Sequence, residues 1–494
     1  MRFIKKIFGS NTPSNSKKNI KKTDSDITLQ NTATNRLEKF VPISEDSVKI
    51  YSCGPTVYDR AHIGNLRSFV TADILKRILV QAGYTVEHTI NFTDFGHLSE
   101  NGSGEDKMTK GLMREGLPIT MEAMRELSSH YIKIFKDDFS ELHIIPPTTW
   151  ARASDYVKEQ IKLIKSLEEK GFTYEINDGL YFSVEKFSDY GRLENIDINN
   201  IKAGARVEIN QEKHHPADFA VWKKGDLGWD SDWGKGFPGW HIECSAMALK
   251  TLGEEIDIHT GGEDLASVHH NAEIAQSETA TGKTFVHYWI HNAFITIDNT
   301  KVSKSLGNTI TMNNLLEKGF SGDDYRYWLL TAHYRSPINF SWEALLSAKQ
   351  SLVKLKRYMY EEYKQEASLP SHDYLNKFNF CLKNDMDTPG ALAILWEMIK
   401  DDSLTKKTKC GTLLAMDDIF DIGLSQDLNE GLKNLGMVSL EDVPDEISEL
   451  IKQREIARAV KNWTEADHLR DLIREAGYEI DDTQQGTKII NTNN

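Results

Sequence analysis

Cysteine is scarce in this chain of 494 residues, and its four cysteines lie far apart. They form no C-x-x-C pair and no dense framework: Cys53, Cys244, Cys381 and Cys410. This spacing argues against a disulfide-stapled fold and predicts a reducing compartment, the cytoplasm. The chain also lacks an uninterrupted apolar run near the roughly 18 residues that a membrane-spanning helix needs. We therefore expect no membrane segment.

Basic residues are outnumbered by acidic ones, which gives the chain a net charge of −15. This balance argues weakly against binding nucleic acid through bulk charge, but it still allows local basic grooves. The segment 1–27 is the exception, because it is basic and rich in Ser and Asn. Its composition predicts a disordered tail, with an organelle-targeting segment as the alternative.

A strand, a helix and a second strand follow this tail. The short apolar run "KIYSCG" predicts the first strand, and "YTVEHTINF" predicts the second. Between them, "GNLRSFVTADILKRILVQAG" has helical spacing, with Gly83 as a stop and one apolar face formed by Phe69, Ile74, Ile78 and Leu79. Two strands joined through a helix predict the start of a parallel α/β sheet.

The middle of the chain, about 100–225, departs from this pattern. It contains long helical stretches and a predicted hairpin, "FTYEINDGLYFSV", which turns at 177–179. We interpret it as an insertion between two halves of one sheet. The second half resumes with "GWHIECSAMALKTLG" and the strand "EIDIHT". Beyond about residue 340 we expect the strands to stop and the chain to be helical.

Four potential metal ligands fall near the edges of the predicted sheet. Cys53 ends the first strand, and Cys244 lies where the second half begins. "HHNAE" supplies His269 and Glu273, which share one helix face at spacing i, i+4. Sulfur, nitrogen and oxygen donors suit zinc. On spacing alone the alternative is two buried structural cysteines beside a solvated helix.

Two further segments could bind phosphate. In "HIGN", a histidine and a glycine at a helix start place an imidazole and backbone N–H groups where a phosphate could bind. In "KVSKS", Lys301 and Lys304 could form a cationic clamp. Each segment also has a simpler interpretation when it is considered alone. "HIGN" could be a turn glycine beside a histidine, and "KVSKS" could be a solvated loop.

In this order and with these separations, the motifs resemble those of the cysteinyl-tRNA synthetase family, within the class I aminoacyl-tRNA synthetases. "HIGN" resembles the family's HIGH motif and "KVSKS" its KMSKS loop, and "GWHIECSAM", "DIHTGGEDL" and "HHNAEIAQS" resemble the blocks between them. The similarity runs from about residue 28 to about 490. It implies a Rossmann-type catalytic domain at 28–300, a lysine loop and connecting region at 301–345, a helical bundle at 346–435 and anticodon-binding helices at 436–494.

The resemblance also assigns roles to residues. It implies one zinc per chain, held by Cys53, Cys244, His269 and Glu273. It assigns His62 and Asn65 to the ATP phosphates, with Mg²⁺ accompanying ATP, and Lys301 and Lys304 to the leaving pyrophosphate. Thr93 and Trp240 would border the amino-acid pocket, although a packed core aromatic is the alternative for Trp240.

The implied reaction is activation of L-cysteine by ATP followed by its transfer to tRNA(Cys), performed by a monomer. The anticodon readers would lie in "RAVKNWTEADHLRD" and "DDTQQG", as Arg458, Trp463, Asp467 and Asp482. The alternative for this segment is a helix capped by Thr464, with a core Trp and a solvated charged face.

The chain departs from the family pattern at a few positions. Asn65 replaces the last His of HIGH, Val302 replaces the Met of KMSKS, and the stretch after Asp94 is extended. Two other classes stay open at this stage. A ligase joining cysteine to an amino sugar would lack the long helical end, and an inactive homologue would be expected to lose Lys304 or a zinc ligand.

Overall fold

The structure, a computed structural model, describes residues 26–96, 106–196, 211–297, 300–301, 309–362, 368–424, 437–438, 440, 442–483 and 486–491. Most of the predicted N-terminal tail, 1–25, lies outside these ranges. No helix among the described residues is long and apolar enough to cross a membrane.

Strands and helices are interspersed in the first half of the chain, and helices predominate after residue 340. The strands are β1 (Thr28–Asn31), β2 (Arg36–Lys39), β3 (Ser47–Ser52), β4 (Thr85–Phe92), β5 (Thr149–Arg152), β6 (Thr173–Ile176), β7 (Gly179–Phe182), β8 (Phe219–Trp229), β9 (Gly236–Pro238), β10 (Ile256–Gly262), β11 (Val286–Asn292), β12 (Ile295–Ile297), β13 (Thr300–Lys301), β14 (Ile338–Phe340), β15 (Met437–Val438), β16 (Tyr478–Thr483) and β17 (Gly486–Asn491). The helices are α1 (Ile63–Gln81), α2 (Lys107–Arg114), α3 (Met121–Glu141), α4 (Val157–Glu169), α5 (Trp240–Leu252), α6 (Glu263–Leu265), α7 (Asn271–Thr281), α8 (Met312–Glu317), α9 (Gly322–Leu330), α10 (Trp342–Glu362), α11 (His372–Lys383), α12 (Thr388–Lys400), α13 (Lys406–Phe420), α14 (Asp445–Ala459) and α15 (Trp463–Glu475).

A five-stranded sheet in the order β11-β10-β3-β4-β5 forms the centre of residues 28–300, the expected catalytic domain, which is called the catalytic half below. All of its neighbouring strands pair in parallel, which confirms the predicted parallel α/β fold. The chain passes from β3 outward to β4 and β5, and later returns to the other side of β3 with β10 and β11. The topological switch point therefore lies between β3 and β10, where such sheets bind ligands beyond the carboxyl ends of their strands.

Helix α1 follows β3 and packs against this sheet. Its predicted apolar face is buried, and Gly83 takes a positive φ of 96° just after the helix, as a stop signal requires. At the other end, His62 is the N-cap, and its side chain accepts a hydrogen bond from the backbone N–H of Asn65. The apolar spacing and the capping residues of the sequence therefore both match the helix seen in the structure.

The insertion carries its own antiparallel sheet, β6-β7-β8-β9. The predicted hairpin is confirmed, because β6 and β7 pair on either side of the two-residue turn at 177–178. Gly179 is required there, since a Cβ would lie 2.1 Å from the carbonyl oxygen of Trp222. One strand within the range assigned to the insertion, β5, belongs instead to the central sheet. The domain boundaries themselves stay predictions.

The C-terminal part is helical, as expected, but the expectation that strands stop near residue 340 is wrong. Strands β15, β17 and β16 form a small antiparallel sheet against α14 and α15. This unit has a separate apolar core of Val443, Ile447, Ile451, Ile473, Ile480 and Ile489. The prediction failed because "YEIDDTQQGTKIIN" is short and contains few apolar residues. Short polar strands of this kind give little alternating apolar signal.

Candidate active site

Cys53 follows β3 directly, at the switch point of the central sheet. Its Sγ lies 3.9 Å from Sγ of Cys244 and 3.5 Å from Oε1 of Glu273. The backbone N–H of Cys53 donates to the carbonyl of Thr260 on β10, which fixes the loop to the neighbouring strand. The cysteine is half-buried, whereas Cys244 and Glu273 are buried.

The partners of Cys53 come from two helical segments. Cys244 lies on the second turn of α5 and not in the sheet, which corrects the expectation that all four ligands fall near the edges of the sheet. His269 lies in a π-helical turn, 266–270, that leads into α7, and its Nε2 is 3.0 Å from Oε1 of Glu273. Such single π turns occur frequently at functional sites. The four predicted zinc ligands are thereby brought together, with all donor atoms within 4.8 Å of one another.

A second set of donors shares Cys53 and Glu273 and adds His259 and His270. Nε2 of His259 donates to Oε2 of Glu273 over 3.1 Å, and Nε2 of His270 lies 3.5 Å from Sγ of Cys53. Nδ1 of His270 is also 2.7 Å from Nε2 of His291. This set has one sulfur where the first has two. The first set therefore suits zinc better, and these histidines orient its members.

Sequence reasoning missed these supporting histidines. The signal was available, because several of the motif blocks contain a histidine that was given no role: His241 in "GWHIEC", His259 in "DIHT", His270 in "HH" and His291 in "YWIHN". His241 shows the pattern, since its Nδ1 is 2.7 Å from Nδ1 of His269. A metal-binding imidazole is commonly held through its other nitrogen in this way.

Burial and mutual charge determine the protonation of the cluster. Burial favours the neutral form of His269, but Cys244 and Glu273 outweigh it and raise the pKa of His269 to about 10. Burial likewise opposes ionisation of Glu273, yet His259 and His269 lower its pKa to about 2. Burial and the adjacent Cys244 raise the pKa of the Cys53 thiol, whereas the hydrogen bond from Cys53 lowers the pKa of Cys244. The cluster thus concentrates charge in a dry environment.

Trp240 and Thr93 lie beside this cluster. Trp240 is half-buried at the start of α5, and the centre of its ring is 4.4 Å from that of His269. It is therefore not a fully packed core aromatic. Thr93 is buried just after β4, and its Oγ1 donates to Oε2 of Glu243 over 2.7 Å. The neighbouring Asp94 is bound by Arg152 and Ser154, which gives it a structural part next to the pocket.

The "HIGN" candidate lies at the start of α1, beside residues 310–311, which follow the lysine loop in the chain. His62 and Asn65 cap this helix reciprocally, and the backbone of His62 bridges that of Thr311. Lys301 belongs to β13, which pairs with β12, but its side chain lies outside the described residues. Lys304 lies outside them entirely. The backbone on both sides of the lysine loop is nevertheless held against the catalytic half.

Comparisons with known proteins agree with this architecture. The family described as tRNA synthetases class I (C) catalytic domain matches residues 39–350, and the Cysteinyl-tRNA ligase anticodon binding domain matches residues 440–488. A cysteine–tRNA ligase of Treponema denticola is 41% identical over 92% of this chain and 97% of its own length. Cysteine–tRNA ligase 1 of Burkholderia lata is 40% identical over 94% and 97%. The chain belongs to the cysteinyl-tRNA synthetase family.

Solved structures of other synthetases share the fold at low identity. Methionyl-tRNA synthetase of Mycobacterium tuberculosis, in complex with methionyl-adenylate, gives a TM-score of 0.54 at 14% identity and covers 81% of this chain and 95% of its own. A LeuRS of Agrobacterium radiobacter, in a ternary complex, gives 0.58 at 11% identity, covering 81% and 87%. These likenesses bear on the fold alone.

The anticodon candidates lie in the part matched by the family's anticodon domain. Trp463 is 58% exposed at the start of α15, so the alternative of a core Trp is wrong. Asn462, not Thr464, caps this helix. Asp467 is exposed, while Asp482 accepts ion pairs from Arg454 and Arg458. Trp463 and Asp467 are therefore accessible, and Arg458 and Asp482 form part of a charged network.

Proposed function

We propose that this chain is a cysteine–tRNA ligase, which activates L-cysteine with ATP to cysteinyl-adenylate and transfers it to the 3′-terminal ribose of tRNA(Cys). The observation that carries the proposal is the convergence of Cys53, Cys244, His269 and Glu273 at the switch point of the sheet. We further propose that the protein acts as a monomer in the cytoplasm. The match to the anticodon domain favours tRNA over an amino sugar as acceptor.

The residues of the cluster fit zinc. Two sulfurs, an imidazole nitrogen and a carboxylate oxygen are a donor set that zinc prefers. Nδ1 of His269 is held by His241 and the second oxygen of Glu273 by His259, so one donor atom of each is directed to the centre of the cluster. A zinc ion held there would supply a Lewis-acidic position for the thiolate of cysteine. A serine hydroxyl is a much poorer zinc ligand at neutral pH.

The chain's own residues would then orient the amino acid. Trp240 forms a half-buried wall next to His269, and Thr93 directs its hydroxyl hydrogen toward Glu243. Oγ1 of Thr93 thereby keeps its lone pairs as acceptors, which suits a substrate ammonium group. No protein nucleophile is required, because the substrate carboxylate attacks the α-phosphate of ATP and pyrophosphate leaves. Catalysis is therefore positioning and charge stabilisation.

His62 is suited to the ATP phosphates through its tautomer. Because Nδ1 accepts the N–H of Asn65, the proton of the neutral ring lies on Nε2, which makes that atom a hydrogen-bond donor. Asn65 accepts from the backbone of His62 through Oδ1, so its amide hydrogens are also donors at the helix start. Lys301 and Lys304 would neutralise the charge of the leaving pyrophosphate, and Mg²⁺ would bind with ATP.

An ATP–pyrophosphate exchange assay tests the proposal. Cysteine should support exchange, and serine should support it roughly four orders of magnitude less well, as in sites built around one polar group of the substrate. Charging of a tRNA(Cys) transcript with radiolabelled cysteine tests the second step. Exchange that serine supports as well as cysteine, or exchange without any charging, would contradict the proposal.

A further inference from the structure

Arg67 lies on the second turn of α1, the helix that begins with the "HIGN" residues, and its side chain is buried. Its guanidinium donates five hydrogen bonds, and all five acceptors are backbone carbonyl oxygens. Nη1 donates to both carbonyls of the segment 293–294 over 2.8 Å. Nη2 donates to three carbonyls of the segment 333–336 over 2.7 to 3.2 Å. This one side chain thus joins α1 to two distant segments of the chain.

The two segments that Arg67 contacts lead into neighbouring strands of one small sheet. Residues 293–294 connect β11 of the central sheet to β12, and residues 333–336 precede β14. Strand β12 pairs in parallel with β14 and antiparallel with β13. Lys301 ends β13 and begins the lysine loop, "KVSKS". The guanidinium therefore holds the start of the two strands on which β13 and the loop depend.

The chain beyond the lysine loop is held by the same helix. The backbone N–H of Ile63, the first residue of α1, donates to the carbonyl of Ile310 over 2.8 Å. Oη of the buried Tyr325 donates to the carbonyl of Ile63 over 2.7 Å, which fixes the helix start from another side. The segment after the loop is thus bound to the start of α1, and the strands before it are bound to α1 through Arg67.

The charge of Arg67 is costly to bury, and this cost argues for a role beyond stability. Burial lowers the pKa of its guanidinium to about 10, although Tyr325 and Glu263 act to raise it. The group therefore stays charged at neutral pH, while its hydrogen bonds go to neutral acceptors. A buried charge is weak evidence for stability, because well-packed apolar side chains of similar volume often stabilise a protein equally well or better.

Most of the carbonyls that Arg67 contacts do not depend on it for a hydrogen bond. Four of the five also accept one from another donor: Tyr334 from the N–H of Ala293, Phe294 from that of Ile338, His333 from that of Ser336, and Ala293 from the side-chain amide of Asn292. Loss of the guanidinium would thus leave these four carbonyls paired, and the two segments can fold without it. Its particular contribution is a rigid fork of donors that fixes the segments relative to α1.

We propose that Arg67 is a positioning residue for adenylate formation, which holds the strands before the lysine loop in a fixed place relative to the start of the "HIGN" helix. The inference rests on the proposed function, because it takes ATP as the ligand shared by His62 and Lys304. These two side chains would contact phosphate groups of one ATP molecule at the same time. Their separation therefore has to match the nucleotide, and Arg67 contacts both of the elements that set it.

Arg67→Met in the full-length protein tests the proposal, because methionine fills much of the volume without a buried charge. We expect kcat of cysteine-dependent ATP–pyrophosphate exchange to fall roughly a hundredfold, the cost of a misplacement of about 1 Å. The KM for cysteine and the zinc content should hardly change, since the donors of the cluster lie outside the two segments. Arg67→Lys keeps the charge and part of the donor set, and it should recover part of the rate.

A double-variant cycle with Lys304→Ala separates positioning from a general loss of structure. Alone, Lys304→Ala should slow exchange roughly a hundredfold to a thousandfold. If Arg67 acts through this lysine, Arg67→Met should cost little more once Lys304 is absent. Losses that multiply in the double variant would overturn the proposal. An unchanged kcat in Arg67→Met would overturn it as well.

Arg326 of α9 provides the matched control, because it is also fully buried and also donates to backbone carbonyls, those of Leu142 and Phe420. At a temperature where circular dichroism shows the variants to be folded, Arg326→Lys should keep its kcat, whereas Arg67→Lys should lose part of it. Equal losses in these two variants would overturn the proposal. Should Arg67→Met fail to fold, Arg67→Lys carries the same cycle with Lys304→Ala.

The unaltered protein in the same assay separates this inference from the proposed function. Failure of the unaltered protein to support cysteine-dependent exchange would count against the ligase assignment. Normal exchange by the unaltered protein together with normal exchange by Arg67→Met would count against the role of Arg67 alone.

Discussion

The cluster of Cys53, Cys244, His269 and Glu273 differs from the C-terminal unit in two respects, the sequence separation of its residues and their exposure to solvent. The donors of the site come from chain positions as distant as Cys53 and Glu273, and most of them are buried. The C-terminal unit uses residues of one short stretch, has its own small core and exposes Trp463 and Asp467. A site that discriminates one thiol needs fixed, dry donors, because polar interactions gain strength away from water. A surface that contacts RNA needs accessible side chains on a separately packed support.

Loss of a cluster sulfur should have the largest effect. We expect Cys244→Ser to lose both the zinc, about one equivalent per chain in the unaltered protein, and cysteine-dependent exchange, because a hydroxyl cannot replace the thiolate as a ligand. Elemental analysis and the exchange assay measure the two losses. Cys381→Ser, in helix α11 of the helical region, is the matched control and should keep both. Full zinc content in Cys53→Ser and Cys244→Ser would contradict the ligand set.

Removal of the C-terminal unit should separate the two regions. A chain ending at residue 435 should retain cysteine-dependent exchange but charge tRNA more than a hundred-fold more slowly. Up to three anticodon bases would lose stacking contacts worth roughly 1–3 kcal/mol each. The separate core of this unit gives a physical reason for the catalytic half to remain folded without it. Charging at the full-length rate would make the unit merely structural.

Loss of one lysine should slow chemistry more than it weakens binding. If Lys304 stabilises charge that develops only in the transition state, Lys304→Ala should slow exchange by raising its activation free energy by roughly 2.7–4 kcal/mol. The KM for ATP should change much less. The charge-preserving variant Lys304→Arg serves as the control and should recover part of the rate. Equal losses in rate and in ATP affinity would indicate ordinary ground-state binding.

How far the sequence predicted these regions depends on the length and periodicity of each signal. Helix α1 was predictable because its apolar residues recur at helical spacing over many turns and a glycine follows its end. The parallel sheet was predictable because this helix joins two apolar strands. The four ligands were candidates from their residue types, but only the family motifs favoured them over structural cysteines, since spacing alone cannot bring Cys53 to Cys244 across 191 residues. The supporting histidines and the position of Cys244 on a helix depend on tertiary packing. The short strands β16 and β17 carry too little apolar alternation to be seen.

The exposed aromatic ring of the C-terminal unit gives the smallest and sharpest test of the comparison. Trp463→Ala should lower kcat/KM for tRNA charging by the equivalent of roughly 1–3 kcal/mol, which is the free energy of stacking one base on an aromatic side chain. Cysteine-dependent exchange should stay unchanged. Trp463→Phe retains a π-face and should recover most of the loss. Thermal unfolding should hardly change, because a ring that is 58% exposed buries little area in the folded protein. If Trp463→Ala instead lowered the melting temperature and Trp463→Phe did not restore charging, the ring would support the helix pair rather than contact RNA. Recognition of the anticodon bases would then have to be assigned to Asp467 and to the charged network around Asp482.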